Sequence, residues 1–253
     1  MRSTIDIKSA GALALLTFAA GPARADQRDF VRAYEYATQP EGNLEFELWT
    51  DVAAPRGGPF ADSLVTHRVE LEYGLTDRWD VSLYHVFEHG GPSAEEKAFR
   101  FDSWRSETRM RLAEKGEWPV DVMLYAEVER PADFTAPWEI EEKLILGRDF
   151  GRVSLVTNLV AEQALAGGQR AEHRFELDLG ARYEFAPSVR LGAEVWTIQP
   201  YAAEPAAQTR PSYFAGPSVS LASQRVWLQF GTGFGIGDTP ESLYLRSVLG
   251  FNL

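Results

Sequence analysis

Two histidines in this chain of 253 residues have a spacing that could bind a metal ion. His85, Glu88 and His89 match the H-x-x-E-H pattern of inverted zinc peptidases. Two histidines four residues apart share one zinc ion on a helix, where they stand about 6 Å apart. Here they stand at the end of a run of alternating polar and apolar residues, which predicts a strand. Residues four apart on a strand are separated by roughly 13 Å, too far for one metal ion to bind both. We therefore predict polar residues at a strand end and no metal site.

A run of alternating glycines could form a nucleotide loop. Its members are Gly231, Gly233, Gly235 and Gly237. The dinucleotide fingerprint requires a different spacing and a following helix, and the sequence has neither. Glycines on one face of a strand indicate close approach by something bulky, and Tyr244 on the neighbouring strand is the expected cover. The alternatives are a solute passing along a bare wall and a plug formed by residues 26–41.

Pairs of glutamates two residues apart could catalyse hydrolysis. The pairs are Glu70 with Glu72, Glu127 with Glu129, and Glu139 with Glu141. Their spacing of roughly 6.5 to 7 Å along a strand is tolerable for this chemistry. Basic residues on the same faces favour a salt-bridged wall, so no catalytic residue is predicted. The predicted pore-lining residues are Arg68, Glu70, Glu72, Arg105, Glu107, Arg109, Arg111, Glu127, Glu129, Glu139, Glu141, Lys143, Glu176, Arg182, Glu194 and Arg246.

The elements that position these residues are strands with one apolar and one charged face. Between residues 64 and 87, two runs alternate with a period of two and meet at a Gly-x-Thr-Asp turn. This pattern predicts a hairpin. From residue 43 onward the unit recurs, which predicts twelve strands (alternatives 10 or 14). The predicted strands span 43–52, 63–74, 79–89, 98–113, 119–130, 136–147, 152–163, 172–185, 189–199, 210–222, 225–236 and 242–253.

The predicted connections alternate in length. Those after even-numbered strands are mostly short, and those after odd-numbered strands are mostly longer, including 53–62, 90–97, 164–171 and 200–209. This layout is typical of a bacterial outer-membrane barrel and places both termini on the periplasmic side. The predicted fold is therefore an all-β, antiparallel, up-and-down transmembrane β-barrel. Residues 42–253 form the barrel, and residues 26–41 form a periplasmic segment or a plug.

The charged faces of these strands are expected to point inward. Twelve strands enclose a lumen too wide for apolar side chains to fill, whereas a charged interior can hold water. The apolar face then contacts lipid, and aromatic residues near strand ends form interfacial girdles. The predicted girdle residues are Trp49, Trp79, Trp118, Trp138, Tyr183, Phe185 and Phe251, with the lumenal face as the alternative for Trp49.

The N-terminus and the composition restrict location and partners. Residues 1–25 combine basic residues, an apolar run and a small-x-small site at Ala23 to Ala25, which predicts a secretory signal peptide. The net charge of −12 at pH 7 excludes a nucleic-acid partner held through its phosphates. The sequence has no cysteine, so a core or a closed sheet must supply the stability. No cofactor is predicted.

Over its mature length the chain resembles small, mostly uncharacterised outer-membrane β-barrel proteins of the porin-like kind from Gram-negative bacteria. The resemblance rests on the signal peptide, the opening strand from Asn43 to Trp49, the hairpin from Glu72 to Trp79 and a final strand ending at Leu253. It implies location in the cell outer membrane, contact with outer-membrane lipid and recognition by the barrel assembly machinery. No catalytic residues carry over from it.

Three functions are consistent with these features. The first is a narrow passive channel for small cationic or neutral solutes, because acidic residues outnumber basic ones on the predicted lumenal face. The second is a closed structural or adhesive barrel that acts through its extracellular loops. The third, less favoured, is a hydrolase at the barrel rim. A soluble all-β periplasmic protein is a further alternative.

Overall fold

The computed structural model describes residues 27–93, 96–165, 172–202 and 210–253, so the predicted signal peptide lies outside the described residues. The strands are β1 (Leu44–Pro55), β2 (Leu64–Thr76), β3 (Trp79–Gly90), β4 (Arg100–Arg111), β5 (Asp121–Pro131), β6 (Glu139–Phe150), β7 (Val153–Ala164), β8 (Glu172–Ala186), β9 (Val189–Ala202), β10 (Ser212–Ala222), β11 (Val226–Gly235) and β12 (Glu241–Asn252). A short 3-10 turn spans Phe60–Asp62. Among the described residues, no helix is long and apolar enough to cross a membrane.

These strands close into a barrel. Each strand pairs antiparallel with its sequence neighbours, and β1 pairs with β12, placing Leu48 opposite Leu249. Closure leaves no unpaired sheet edge, which is the condition for a sheet to cross lipid. The prediction of a twelve-stranded, up-and-down antiparallel barrel is confirmed.

Most connections follow the predicted alternation. Residues 77–78, 151–152 and 187–188 form tight turns at one end of the barrel, which we call the short-turn end. Gly151 has a φ of 65°, a conformation that glycine adopts without strain. Residues 112–120 form a longer connection at the same end, which departs from the pattern. The opposite end, called the long-loop end, carries the segments between odd and even strands, and 166–171 and 203–209 of those loops lie outside the described residues.

The two faces of the barrel wall separate as the alternation predicts. On β8, Phe175, Leu177 and Leu179 are exposed on the outside, whereas Glu176 and Asp178 are buried in the lumen. The predicted girdle residues Trp79, Trp118, Trp138, Tyr183 and Phe185 are exposed, and Phe251 is partly exposed.

Trp49 is the exception among the predicted girdle residues. It is buried, because the odd-numbered residues of β1 face inward, as do Glu45 and Glu47. Its ring lies 5.4 Å from the guanidinium carbon of Arg68 and 5.0 Å from that of Arg246. Of the two alternatives for Trp49, the lumenal face is therefore correct and the lipid interface is wrong.

The lumen also contains apolar side chains that the sequence analysis did not place there. Met123 of β5 and Ile145 of β6 are completely buried and pack with Tyr36, which precedes the first strand. Two further clusters join Phe30 to Val156 and Val31 to Trp196. In each cluster the wall contributes one part and the N-terminal region the other.

Candidate functional site: a lumen occupied by the N-terminal segment

The N-terminal segment, residues 27–42, runs inside the barrel. It has no strand pairing of its own, yet Phe30, Val31 and Tyr36 are each at most 3 % exposed. Gln27, the first described residue, is also buried. From there the segment crosses the lumen and joins β1 at the short-turn end.

Glu194 of β9 holds the middle of the segment by its backbone. Its carboxylate accepts hydrogen bonds from three consecutive N–H groups, those of Val31, Arg32 at 2.8 Å and Ala33 at 3.2 Å. A segment without strand pairing leaves its N–H groups unsatisfied, and burial makes that costly. One carboxylate thus provides the partners that a neighbouring strand would otherwise supply.

Replacing Glu194 by alanine is expected to loosen the segment. Hydrogen bonds to a charged group contribute about 1.5 to 3 kcal/mol each, so even partial loss favours a released segment. Trypsin cleavage after Arg32 of the folded protein should accelerate by roughly 30-fold or more if cleavage follows segment opening. Glu142→Ala is the matched control, because Glu142 is exposed on the outer face. Equal cleavage rates in the two variants would contradict a holding role for Glu194.

A second anchor surrounds the side chain of Asp29. Its carboxylate lies 3.2 Å from Arg182 and 3.3 Å from Arg190, and it accepts a hydrogen bond from Ser220 at 2.6 Å. The hydroxyl of Ser218 donates to the backbone oxygen of Asp29 at 2.6 Å. Strands β8, β9 and β10 therefore bind this one residue together.

Arg32 and Tyr34 bind the neighbouring strands β8 and β7. Arg32 forms an ion pair with Glu176 on β8, which is buried. Asn158 of β7 accepts a hydrogen bond from the backbone N–H of Tyr34 at 2.6 Å and donates one to its carbonyl at 3.0 Å. This two-way pairing imitates one rung of a β-ladder. Arg246 of β12 donates to the carbonyl of Val31 and binds Asp51 at 2.6 Å.

Near the short-turn end, contacts secure the rest of the segment. The hydroxyl of Tyr36 donates to the carbonyl of Ala113 at 2.6 Å. The hydroxyl of Thr38 donates to the carbonyl of Asp77 at 2.8 Å, and the carboxylate of Asp80 accepts from the N–H of Gln39 at 2.9 Å. The segment is therefore bound along its whole described course.

Glycines on the wall form the surface against which the segment packs. A Cβ added at Gly180 would lie 2.8 Å from the ring of Phe30, and one at Gly147 would lie 3.1 Å from the Cβ of Tyr36. Added Cβ atoms at Gly74, Gly192 and Gly231 would also meet atoms of the segment, namely Pro40, Asp29 and Val31. The wall therefore has glycine, which carries no side chain, at positions where the segment approaches it closely.

The glycine run of β11 differs in part from its prediction. Val31 covers Gly231, and the indole of Trp196 covers Gly233. Tyr244, the predicted cover, stands edge-on to Trp196 with 6.2 Å between ring centroids. The reason is that Trp196 reaches across β10, a contact that adjacent-strand reasoning does not consider. Gly237 lies beyond the end of β11 with a φ of 62°, so it belongs to the turn and not to the strand face.

The residues predicted to line the pore lie on the inward parity of their strands, and two groups can be distinguished. Those that contact the N-terminal segment are Arg111, Lys143, Glu176, Arg182, Glu194 and Arg246. The ion pairs among wall residues include Arg109 with Glu72 and Glu107, Arg105 with Glu127 and Glu129, Lys143 with Glu141, and Arg68 with Asp51. Glu70 is buried and Glu139 is partly exposed.

The sequence analysis missed three neutral wall residues that bind the segment. Asn158, Ser218 and Ser220 share the inward parity of their strands, but neutral residues on a charged face gave no signal. Asp29 lay in a stretch left outside the strand pattern. The five glycines that the segment contacts could have been recognised by their inward parity on different strands. They are Gly74, Gly147, Gly180, Gly192 and Gly231.

A cavity of about 320 Å³ remains between the segment and the long-loop end. We call it the vestibule. Its lining includes Arg32 and Tyr34 of the segment and Leu64, Glu88 and Glu241 near the long-loop ends of their strands. Its basic lining residues are Arg32, Arg68, Arg105, Lys143, Arg174 and Arg246, and its acidic ones are Glu88, Glu127, Glu141, Glu176, Asp178 and Glu241. A small polar molecule entering from this end meets charges of both signs.

The glutamate pairs considered for hydrolysis are tied to neighbouring groups. Glu127 accepts hydrogen bonds from the hydroxyls of Tyr84 and Tyr125, the latter at 2.8 Å. Glu141 lies 2.8 Å from Lys143. Within the described ranges, no group of three or more His, Cys, Asp or Glu residues is placed to hold a metal ion.

Comparison with known proteins identifies the fold. No protein-family model matches the chain, and no curated protein matches it. An outer membrane channel from Pseudomonas putida F1 is similar at a TM-score of 0.61 and 13 % identity, over 88 % of this chain and 100 % of that one. The NanC porin is similar at a TM-score of 0.58 and 7 % identity, over 83 % of this chain and 100 % of that one.

A third similar structure is the translocator domain of the autotransporter NalP from Neisseria meningitidis. Its TM-score is 0.51 at 8 % identity, over 83 % of this chain and 88 % of that one. All three are outer-membrane proteins of the barrel type. The chain therefore folds as an outer-membrane β-barrel.

Proposed function

We propose that this protein is a narrow channel of the outer membrane for small cationic or neutral polar solutes, closed at rest by its own N-terminal segment. In this proposal the short-turn end faces the periplasm, and the vestibule opens to the exterior. Solutes enter the vestibule and pass through the lumen when the segment dissociates from the wall. The similarity to a channel and to a porin is consistent with this function but extends to the fold alone.

The observation that carries the proposal is that the segment is held in the lumen without being part of the sheet. Its bonds to Glu194, Asn158 and Asp80 are made by side chains of the wall. Its backbone meets the sheet at Gly42, next to β1, where the N–H of Gly42 donates to the carbonyl of Gly74 on β2 at 2.9 Å. Release of residues 27–41 therefore leaves the hydrogen bonds between β1 and β12 in place. A segment that fills the lumen permanently would not need to be bound independently of the hydrogen bonds of the sheet.

The charge of the wall supports a preference for cations once the segment is displaced. The buried wall carboxylates are Glu45, Glu47, Asp51, Glu70, Glu72, Asp80, Glu107, Asp121, Glu127, Glu141, Glu176, Asp178 and Glu194. The basic wall residues with carboxylate partners are Arg68, Arg105, Arg109, Lys143, Arg174, Arg182, Arg190 and Arg246. The segment carries Arg28 and Arg32 but also Asp29, Glu35 and Glu41, so the preference for cations follows from the excess of carboxylates on the wall.

The test compares the mature protein with a variant that lacks residues 26–41 in a planar bilayer under a salt gradient. The complete protein is expected to conduct rarely or weakly, whereas the shortened barrel should conduct steadily with a cation-selective reversal potential. Heat-modified mobility in gel electrophoresis serves as the control that both barrels are folded.

A second candidate function is a closed structural barrel that acts through its outer loops. The observation that favours it is the dense set of buried ion pairs, such as Arg109 with Asp80 at 2.8 Å. A folded variant lacking the segment that stays silent in the bilayer would support the closed barrel and contradict the channel. Steady but anion-selective openings would retain the channel and refute the proposed solute class.

A further inference from the structure

Two histidines from different strands meet on the outer face of the barrel at the long-loop end. The Nε2 atoms of His67 on β2 and His89 on β3 are 3.3 Å apart. Their ring centroids are 5.4 Å apart, with an interplanar angle of 21°. The two nitrogens therefore face each other across the hairpin. His85, four residues before His89, packs instead against Phe101 at a centroid distance of 5.9 Å.

Thr50 fixes the orientation of the first ring. The Nδ1 atom of His67 lies 3.0 Å from the hydroxyl oxygen of Thr50 on β1. That hydroxyl can accept a hydrogen bond from Nδ1, which leaves the lone pair of His67 on Nε2, directed at His89. A histidine that binds a metal through one ring nitrogen usually donates a hydrogen bond from its other ring nitrogen to an oxygen atom.

The separation of the two Nε2 atoms matches a shared metal ion. Two imidazole nitrogens bound to one zinc ion at about 2.0 to 2.1 Å with a tetrahedral angle are about 3.3 Å apart. In the absence of metal, the same distance is spanned by one N–H···N hydrogen bond between neutral rings. A metal ion can take the place of the shared proton if the proton of His89 moves from Nε2 to Nδ1. Both rings then stay neutral, and no proton is lost to solvent. Imidazole suits zinc and copper in preference to magnesium or calcium.

Aromatic rings enclose the pair on one side. Phe99 lies 6.2 Å from His67 and 6.1 Å from His89, between centroids, and it stacks on Phe87 at 5.4 Å. Both histidines remain partly exposed to solvent. Water can complete the coordination there.

We propose that His67 and His89 form a binding site for one divalent transition-metal ion, copper or zinc, on the outer rim of the barrel at its long-loop end. The site differs from the H-x-x-E-H reading, which would pair His85 with His89 along a single strand. It takes its two ligands from neighbouring strands and is independent of the lumen.

The test uses the mature protein without a polyhistidine tag, folded in detergent and titrated with Cu²⁺ alone. Electron paramagnetic resonance should show one bound ion with two nitrogen ligands, and Zn²⁺ should compete for it. His67→Gln and His89→Gln should each weaken binding by more than about tenfold, and Thr50→Ala by roughly tenfold. His85→Gln and His173→Gln are the matched controls and should bind as the parent does.

Each other outcome overturns the site. If the parent binds no Cu²⁺ at two nitrogens, the pair is a hydrogen bond between rings and nothing more. If His67→Gln and His89→Gln retain parental affinity, or if His85→Gln loses as much as they do, the ion binds elsewhere. Heat-modified mobility of every variant establishes that lost binding does not come from lost folding.

Discussion

Cysteines introduced in place of Tyr36 and Gly147 are expected to lock the proposed channel shut under oxidising conditions and to release it when reduced. A Cβ at Gly147 would lie 3.1 Å from the Cβ of Tyr36. Disulfides have Cβ separations of about 3.5 to 4.5 Å, so the segment needs to shift by only about 0.5 Å. The chain contains no other cysteine, so the cross-link is unique.

The measurement is conductance of the same bilayer before and after addition of a thiol reductant. The oxidised double variant should be silent, and reduction should restore openings at least as frequent as those of the parent. Tyr36→Cys and Gly147→Cys alone are the matched controls and should not respond to the reductant. Openings of equal size and frequency in the oxidised and reduced states would show that ions do not pass where the segment lies.

Replacing Arg109 by methionine is expected to destabilise the barrel by about 3 to 5 kcal/mol. Arg109 is completely buried and pairs with Glu72, with Asp80 at 2.8 Å and with Glu107 at 3.4 Å. Methionine fills much of the same volume but leaves these carboxylates without their common cation. A buried charge that loses its partner keeps the full cost of its desolvation.

The measurement is the urea concentration at which half of the protein unfolds in detergent, followed by tryptophan fluorescence. Arg78→Met is the matched control, because its pair with Glu114 is exposed on both sides and 3.6 Å long. Exposed pairs contribute about 0 to 1 kcal/mol, so this variant should unfold close to the parent. Equal midpoints for the two variants would mean that the lumenal network does not stabilise the fold.

Much of the fold was predictable because successive side chains of a strand point to opposite faces, so polar and apolar residues alternate with a period of two. Phe175, Leu177 and Leu179 alternate with Glu176 and Asp178 in the sequence, and they occupy opposite faces of the wall. The number of strands followed from counting such runs. At Trp49, where aromatic character favoured the girdle and parity favoured the lumen, parity predicts the position correctly.

The candidate site was less accessible to sequence reasoning. Inward parity identified charged residues such as Arg109 and Glu194, but it did not say which of them pair with each other and which bind the segment. The segment itself carries no alternation, so its course could be stated only as an alternative. The pairing of His67 with His89 was also missed, because a search along one strand directs attention to His85.

The sequence by itself determined the twelve strands, the inward direction of their charged faces and the apolar outer wall. Each of these depends on residues one or two positions apart, and such local relations survive in the linear order. Closure of the barrel decided the rest. It sets the register that brings Gly180 to Phe30 and Gly231 to Val31, and contacts between positions so distant in the chain depend on the register of every strand between them.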